Sequence, residues 1–410
     1  MKVTQITLRE HDDIEQRLGA WDAGLPAPGL MLVFSAIALL QRVAAPLAAR
    51  FSATPRIGCS TAGEISNDGV GDDSCVLTAL RFESADGRAL QASTRLADMA
   101  DSEAAGRRLA EQLPLAGLRA VLVLGQGVAV NGSAMIAGMT QVLGRSVSIT
   151  GGLAGDAAAF KQTWVLNQTG VHSDQLVCVG LYGEALVFAH GTMGGWSPFG
   201  PARRVTRCAG NVLFELDGEP ALAVYKRYLG DYARDLPASG LLFPFAMLGR
   251  DHNEIGLIRT ILGVDEHDGS LTLAGDIDPD GYLKLMHAST DALVGGAEAA
   301  AQAAAAAADM AGLGGKGQGL GLGLGLKQDL GLGLGSKQAQ GLGLLVSCVG
   351  RKLVMGGRAE EEVEAVAEVF GQSAVMAGFY SNGEISPFGG MLDCKLHNQT
   401  MTITYLGERI

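Results

Sequence analysis

A short peptide that mixes glycines, small hydroxyl residues and one carboxylate occurs near both ends of the sequence and constrains the fold most. It reads GCSTAGEI at residues 58–65 and GFYSNGEI at residues 378–385. A weaker copy, GGLAGD, occupies residues 151–156. Glycine permits a positive φ and lets another group approach the backbone closely. We interpret these peptides as three versions of one ligand-facing loop and name them the first (58–65), second (151–156) and third (378–385) loops.

Each loop follows the same predicted pattern of strand, helix and strand. The first strands are predicted at 30–35, 120–124 and 344–349, and the helices at 40–47, 136–143 and 363–370. We expect Pro46 to kink or shorten the first helix. A crossover helix makes the two strands that it joins parallel neighbours, so their carboxyl ends share the sheet edge where ligands usually bind. The pattern predicts an α/β fold of repeated β-α-β-loop-β units, in which the three loops converge on one pocket.

Composition places the chain among globular proteins and argues against a nucleic-acid partner. The formal net charge is −12, whereas binding to phosphates requires a cationic surface. The longest apolar run, residues 30–40, is shorter than the ~20 residues of a transmembrane helix. We therefore predict no membrane insertion. The six cysteines form no C-x-x-C pair and the N-terminus lacks an apolar signal segment, which together indicate a cytoplasmic protein with reduced thiols.

A chain of 410 residues is long enough for two domains with full cores. We predict an N-terminal extension at 1–29, one domain at 30–225 and a second at 226–410, each with mixed, largely parallel sheets flanked by helices. Residues 312–343 alternate glycine and leucine and are predicted to be a low-complexity insertion in the second domain. Their Gly-x-Gly steps lack the strand-then-helix setting of a dinucleotide-binding loop.

The sequence from about residue 30 to residue 406 resembles the FIST family of bacterial sensory proteins. The resemblance rests on all three loops and on four further peptides: WSPFGP at 196–201, ELDG at 215–218, SCVGR at 347–351 and LHNQTM at 396–401. It implies an N-terminal and a C-terminal FIST domain, a small-molecule ligand, and a signal passed to a histidine kinase or a cyclic-di-GMP enzyme. The peptides at 196–201 and 225–237 look most similar to a branch of haem-carrying nitric oxide sensors.

The candidate ligand-binding residues come from the three loops and from the peptides at 347–351 and 396–401. They are Ser60, Thr61, Glu64, Gly152, Asp156, Arg351, Tyr380, Glu384 and Asn398. In one interpretation Glu384 binds a ligand ammonium and Arg351 clamps a ligand carboxylate through two hydrogen bonds. In another, the glutamates only fix the turns by accepting backbone hydrogen bonds, or Arg351 pairs directly with Glu384.

Haem requires an axial ligand, and the neutral imidazole of histidine is a common one. His397 is the first candidate, His190 the second and His287 the third. The His397 imidazole could instead hydrogen-bond to a turn carbonyl.

An enzyme is the third class of function considered. The first loop lacks the Gly-x-Ser-x-Gly spacing of a nucleophile elbow, and no metalloprotease or Walker A motif occurs. Cys59 or Glu384 would be the candidate catalytic group, although a small buried thiol is the better default for Cys59.

The sequence predicts a non-enzymatic sensor that carries haem, detects nitric oxide and regulates a partner histidine kinase or cyclic-di-GMP enzyme. The alternative is a haem-free sensor of an amino acid or a similar small metabolite, and the second alternative is an enzyme.

Overall fold

The computed structural model describes residues 1–22, 27–313, 341–387 and 393–409. Within them the chain forms three copies of one unit, with the order β-α-β-α-β-hairpin-β, and one inserted region. The first unit comprises β1 Lys2–Arg9, α1 Ile14–Asp22, β2 Leu30–Ser35, α2 Ile37–Arg50, β3 Arg56–Ser60, β4 Glu64–Ser66, β5 Gly69–Gly71 and β6 Ser74–Arg81. The second comprises β7 Arg88–Arg95, α3 Ser102–Ala110, β8 Leu118–Gly125, α4 Gly132–Leu143, β9 Ser148–Leu153, β10 Val165–Asn167, β11 Gly170–His172 and β12 Gln175–Tyr182.

The third unit begins with one strand, β13 Leu186–Met193, and the inserted region follows. The insert comprises β14 Ser197–Pro198, β15 Arg203–Ala209, β16 Val212–Leu216, β17 Glu219–Pro220, α5 Ala221–Leu229, β18 Phe245–Leu248, β19 Glu254–Arg259, β20 Ile261–Asp265, β21 Ser270–Leu273 and β22 Tyr282–His287. The third unit then continues with α6 Thr290–Ala308, β23 Gly341–Cys348, α7 Val349–Met355, α8 Glu360–Phe370, β24 Ala374–Ser381, β25 Gly383–Pro387, β26 Cys394–His397 and β27 Met401–Glu408. Short 3-10 or π turns occupy Met99–Asp101, Gly230–Asp235, Ala238–Leu242, Asp309–Leu313, Gly356–Arg358 and Gly371–Ser373.

The three units exchange hairpins in a closed cycle. The sheets run β1-β6-β2-β3-β10-β11, β7-β12-β8-β9-β25-β26 and β13-β27-β23-β24-β4-β5. The hairpin of the first unit therefore joins the sheet of the third, that of the third joins the second, and that of the second joins the first. Strands β14 to β22 form a fourth sheet of nine strands.

The predicted α/β class with mixed sheets flanked by helices is confirmed, and so is the threefold recurrence of the β-α-β unit. Among the described strands, the parallel pairs are β2 with β3, β8 with β9 and β23 with β24, which are the three predicted crossovers. The remaining ladders are antiparallel, because each unit closes with a hairpin and a returning strand.

The core has two kinds of layer. Alternate residues of the central strands, such as Phe34, Leu124 and Phe379, form one apolar cluster shared by all three sheets. Phe34 and Phe379 stack there with ring centroids 4.8 Å apart. The opposite face of each sheet packs on the helices of its own unit. The loops that end the central strands therefore approach one another around the shared core.

Some predicted boundaries need correction. Helix α2 continues through Pro46 to Arg50, so Pro46 does not shorten it as expected. Strand β23 begins at Gly341, so the last residues of the predicted insertion belong to the sheet, whereas residues 314–340 lie outside the described residues. The domain boundaries at 29/30 and 225/226 stay predictions. Strands from both sides of 225/226 share three of the four sheets, and β1 of the predicted extension pairs with β6.

Among the described residues, no helix combines the length and the apolar character that crossing a membrane requires.

Candidate functional site

The three predicted loops meet, and each pair of them is joined by a backbone hydrogen bond. The bonds run from Ala62 N to Tyr380 O at 2.9 Å, from Gly155 N to Ser60 O at 2.9 Å and from Asn382 N to Leu153 O at 3.2 Å. Side chains at this junction are buried, including Ser60, Thr61, Glu64, Tyr380 and Glu384. The loops thus converge as predicted, but their side chains pack into a hydrogen-bonded junction.

Glu384 lies fully buried at the start of its hairpin. Its Oε1 accepts a hydrogen bond from Ser381 Oγ at 2.9 Å. Its Oε2 accepts two from Thr400, one from the backbone N–H at 3.1 Å and one from Oγ1 at 2.9 Å. Burial raises the pKa of Glu384 to about 8, because desolvation outweighs these hydrogen bonds.

Glu64 has the same environment in the first unit. Its Oε1 accepts a hydrogen bond from Thr61 Oγ1, and its Oε2 accepts from Ser74 N at 3.1 Å and Ser74 Oγ at 2.7 Å. Burial raises the pKa of Glu64 as well. Each glutamate therefore joins the end of its central strand to the start of the last strand of the same unit.

The second unit lacks this carboxylate. In the sheet register, Glu64 lies opposite Phe379, Glu384 opposite Gly152, and Val165 opposite Cys59. Val165 therefore occupies the equivalent position, and the sequence-based match of Asp156 to the two glutamates is wrong. A longer loop separates the strands there. Asp156 instead accepts backbone hydrogen bonds from the three residues 160–162 at 2.7–3.0 Å and fixes that loop.

The other predicted loop residues have structural partners. Ser60 Oγ donates to Gly155 O at 2.7 Å and accepts from Trp164 N at 2.9 Å. The Tyr380 hydroxyl donates to the carbonyl of Ala359 at 3.2 Å. Gly152 packs so closely on Val346 that a Cβ at this position would clash with it. Asn398 differs, since its buried Oδ1 has no hydrogen-bond partner among the described residues.

Arg351 is fully buried and engaged within the protein. Its Nη2 and Nε donate to Glu362 Oε2 at 2.7 and 3.1 Å, and its Nη2 also donates to Leu293 O at 2.9 Å. Its Nη1 donates to Gly194 O. The ion pair expected as an alternative, with Glu384, is replaced by one with Glu362. Arg351 therefore holds helix α8 and the start of α6 to the end of β23.

The predicted haem ligands are also hydrogen-bonded. His190 Nε2 lies 2.7 Å from Ser148 Oγ, and its Nδ1 lies 3.1 Å from Thr404 Oγ1. His397 is buried, with Nε2 3.2 Å from the carbonyl oxygen of Ser386. Burial lowers the pKa of each histidine to about 4. The third candidate, His287, is exposed and packs edge-on against Phe199.

The cysteines are free thiols, and all except Cys208 are buried. Burial raises the pKa of Cys59 well above its ordinary value, and the nearby Glu64 carboxylate adds to this effect. A thiol with a raised pKa is a poor nucleophile, because the reactive form is the thiolate.

A cleft of about 580 Å³ lies beside α4 and is lined by none of the predicted site residues. We call it the α4 cleft. Its walls are α4, β19, the segment before β22 and β26, and its charged lining residues are Arg145, Arg259, Asp276, Asp393 and Lys395. Sequence analysis did not select these residues, because they are scattered over three segments and form no motif.

Arg259 is the distinctive residue of the α4 cleft. It is buried, and within the described part of the chain its donors reach backbone carbonyls, with Nε 3.0 Å from Asp276 O and Nη1 3.1 Å from Ile258 O. Burial lowers its pKa to about 10, partly offset by the Asp276 carboxylate. By contrast, Lys395 already pairs with Asp393 at 3.0 Å. Among the described residues this buried guanidinium has no ion-pair partner, and in a cleft wall it is suited to an anionic ligand group.

A second cleft, of about 450 Å³, lies beside α2. We call it the α2 cleft. Its lining residues are Gln41, Ala44, Ala45, Ala48, Arg56, Trp164, Asn167, Thr169, Gly170 and Val171. None of the predicted site residues lines it either, so the sequence-derived list and the two clefts do not overlap.

Two family domains match the sequence. Residues 29–219 match the FIST N domain, and residues 221–387 match the FIST C domain. A search of curated proteins finds no significant match.

Two solved structures align with almost the entire chain, each at 10% sequence identity. One is cyanuric acid hydrolase from A. caulinodans, with a TM-score of 0.35 and coverage of 100% of this chain and 99% of that chain. The other is described as "Cyanuric acid hydrolase: evolutionary innovation by structural concatenation", with a TM-score of 0.32 and 99% coverage of both chains. At these scores the likeness decides neither fold nor activity.

Proposed function

Because this chain belongs to the FIST family, whose domains sense small ligands in signal transduction, we propose that it binds a small metabolite in the α4 cleft without haem. The observation that carries the proposal is the position of this cleft. It is lined by α4 from the FIST N match and by Arg259 and Asp276 from the FIST C match. Its volume lies within the range of about 300–1,000 Å³ that is usual for ligand pockets.

The charges of the cleft favour a ligand that carries both signs, such as an amino acid. Arg259 offers a buried guanidinium to a carboxylate. Asp276 accepts only one hydrogen bond from a described side chain, that of Asn131 Nδ2 to Oδ1 at 3.1 Å, and offers its carboxylate to an ammonium. The site proposed for the zwitterion thus moves from Arg351 and Glu384, which are occupied within the fold, to Arg259 and Asp276.

A ligand in this cleft would hold α4 against β19 and β26. It would stabilise the conformer in which these elements are close, and a partner would recognise the surface of that conformer. The partner that we propose is a histidine kinase or a cyclic-di-GMP enzyme. We propose a cytoplasmic location, which the free thiols of the cysteines support.

Haem-dependent sensing of nitric oxide remains a prediction, but the first two candidate ligands, His397 and His190, do not fit the role of an axial ligand. Both ring nitrogens of His190 face hydroxyl groups, and the buried ring of His397 lines neither cleft. Addition of haemin tests the prediction. A new visible absorption band that disappears in His397→Ala or His190→Ala would replace the haem-free proposal.

An enzyme is the least supported alternative. Cys59 is a buried thiol with a raised pKa, and Glu384 is enclosed by three hydrogen bonds. Neither group borders one of the two clefts. Turnover of a substrate that disappears in Glu384→Gln or Cys59→Ser would support catalysis.

Calorimetric titration with L-alanine, L-glutamate and L-lysine tests the proposed site. We expect heat with at least one of them, and an affinity at least tenfold lower in Arg259→Gln and in Ala137→Leu. Ala137 is exposed and lines the α4 cleft, so leucine should fill the cleft without disturbing the core. Ala45→Leu, which fills the α2 cleft instead, is the matched control and should bind normally. Absence of heat with all three probes, or equal affinity in Ala137→Leu, would refute the proposal.

A further inference from the structure

The two clefts are equivalent positions of the repeated unit. In each unit, the helix that precedes the last central strand lies beside a hairpin that comes from a neighbouring unit. The pairs are α2 with β11, α4 with β26 and α8 with β5. The first two grooves are open as the α2 and α4 clefts. In the third, the carboxylate end of the Glu360 side chain lies against Gly69. The repeat therefore generates the same groove three times, and two copies are open.

The α2 cleft contains its own buried cation. Arg56 is only 3% exposed, and its guanidinium donates to two backbone carbonyls, Phe51 O at 3.1 Å and Gln168 O at 3.0 Å. Burial lowers its pKa, and no carboxylate contributes to this shift. These two carbonyls engage only two of the five N–H donors of the guanidinium, and no described acidic side chain neutralises its charge. An anionic ligand group would do so.

The remaining lining of this cleft combines an aromatic ring, small apolar side chains and a few polar groups. Trp164 forms one side, and the small side chains of Ala44, Ala45 and Ala48 form the surface of α2. An indole ring presents a broad face that packs well on another planar ring. Polar side chains, among them Gln41 and Thr169, lie in the same lining. A planar apolar body with one negative charge matches this arrangement.

We propose that the α2 cleft is a second binding site, which takes an aromatic carboxylate with its carboxylate toward Arg56 and its ring against Trp164. This site is formed within the region matched by the FIST N domain and shares no lining residue with the α4 cleft. The inference is therefore independent of the function proposed for the α4 cleft.

The test is calorimetric titration of the full chain with benzoate, and with benzyl alcohol as the uncharged probe of similar shape. We expect benzoate to bind and benzyl alcohol to bind at least tenfold more weakly. Ala45→Leu should weaken benzoate binding at least tenfold, because the new side chain occupies the cleft. Ala49→Leu is the matched control, since Ala49 is an exposed residue of the same helix that does not line the cleft.

Each outcome decides one part of the proposal. No heat with benzoate, or equal binding by Ala45→Leu and the parent protein, would overturn the site. Equal affinity for benzoate and benzyl alcohol would overturn the role of Arg56. The variant Ala137→Leu fills the α4 cleft. If it still binds benzoate, the two sites are independent. If it alone loses benzoate binding, benzoate binds in the α4 cleft and the proposal is overturned.

Discussion

Glu64 and Glu384 occupy the same position in two exchanged hairpins, although 320 residues separate them in the sequence. Each glutamate lies opposite a residue of the neighbouring unit's central strand. Each accepts one hydrogen bond from a hydroxyl three residues earlier, in Thr61 or Ser381. Each accepts another from a hydroxyl at the start of the last strand, in Ser74 or Thr400. The carboxylates thus fix the point at which the chain leaves one sheet and enters the next. This role explains why a carboxylate follows the glycines in both loops.

The ionisation of Glu384 should make the protein less stable as the pH rises. The pKa of Glu384 is about 8 in the folded chain and near 4.5 when unfolded, so between these values only the folded chain holds the proton. Its contribution to stability is complete below pH 4.5 and is lost as the pH rises through 8. Between pH 6.5 and 8 the free energy of unfolding should fall by up to about 1.4 kcal/mol per pH unit.

Urea denaturation of the parent protein and of Glu384→Gln over this pH range measures the effect. The variant has no ionisable group at position 384, so its stability should depend less on pH, whatever its absolute value. Glu111→Gln, at an exposed position, is the control and should retain the parent slope. The assignment fails if the slopes of the parent protein and Glu384→Gln coincide.

His190 should have the opposite effect at acidic pH. Its pKa is about 4 when folded, against 6.5 when unfolded, so the unfolded chain binds the proton first. Stability should therefore be lost as the pH falls from 6.5 towards 4. In His190→Gln this loss should be smaller, whereas the exposed His11→Gln should resemble the parent protein. Thermal unfolding at several pH values provides the measurement, and an unchanged acid sensitivity in His190→Gln would contradict it.

Much of the fold follows from the sequence, because the helical spacing and the apolar strands recur with each loop. The predicted strand at 30–35 coincides with β2, and the three parallel pairs are the predicted crossovers. The exchange of hairpins could not be predicted in this way. Strands β4 and β10 have only three residues each, and nothing in so short a strand specifies which sheet it joins.

The candidate site was harder to predict. Glycine and carboxylate together suggested a ligand loop, but the same residue types also serve close strand packing and turn fixation. Arg351 illustrates the difficulty, because its partner Glu362 lies on a helix eleven residues later and no local pattern identifies the pair. Arg259 was missed for the converse reason. It ends strand β19, and the fold is needed to see that no carboxylate of the described residues forms an ion pair with it.

Removal of the Glu362 charge should destabilise the protein strongly. Glu362 is fully buried and neutralises the buried guanidinium of Arg351 at 2.7 Å. Breaking such a pair leaves an unpaired charge in the interior, which typically costs about 3–5 kcal/mol. Glu361→Gln is the matched control, because Glu361 is a neighbouring residue whose ion pair with Arg358 is screened by solvent and should contribute little to stability. Denaturant titration distinguishes the two, and a small loss in Glu362→Gln would mean that the pair contributes little.

The glycine that begins the third loop should be intolerant of any side chain, for a reason unrelated to ligands. A Cβ at Gly378 would lie well within 3.0 Å of the carbonyl of Leu345 on the parallel strand beside it. Gly58 and Gly151 meet Val33 and Val123 in the same way, so the three glycines let the paired strands approach closely around the shared core.

Backbone atoms cannot yield as a flexible side chain can, and Gly378→Ala should therefore cost at least about 2–3 kcal/mol, comparable to overpacking a core. Gly295→Ala is the matched control at an exposed position of helix α6, where a Cβ meets nothing within 4 Å and alanine should stabilise the helix by about 0.5–1 kcal/mol. Opposite shifts of the urea midpoint in the two variants would establish that the glycines of the loops serve strand packing, and a tolerated Gly378→Ala would return them to the role of ligand-facing residues.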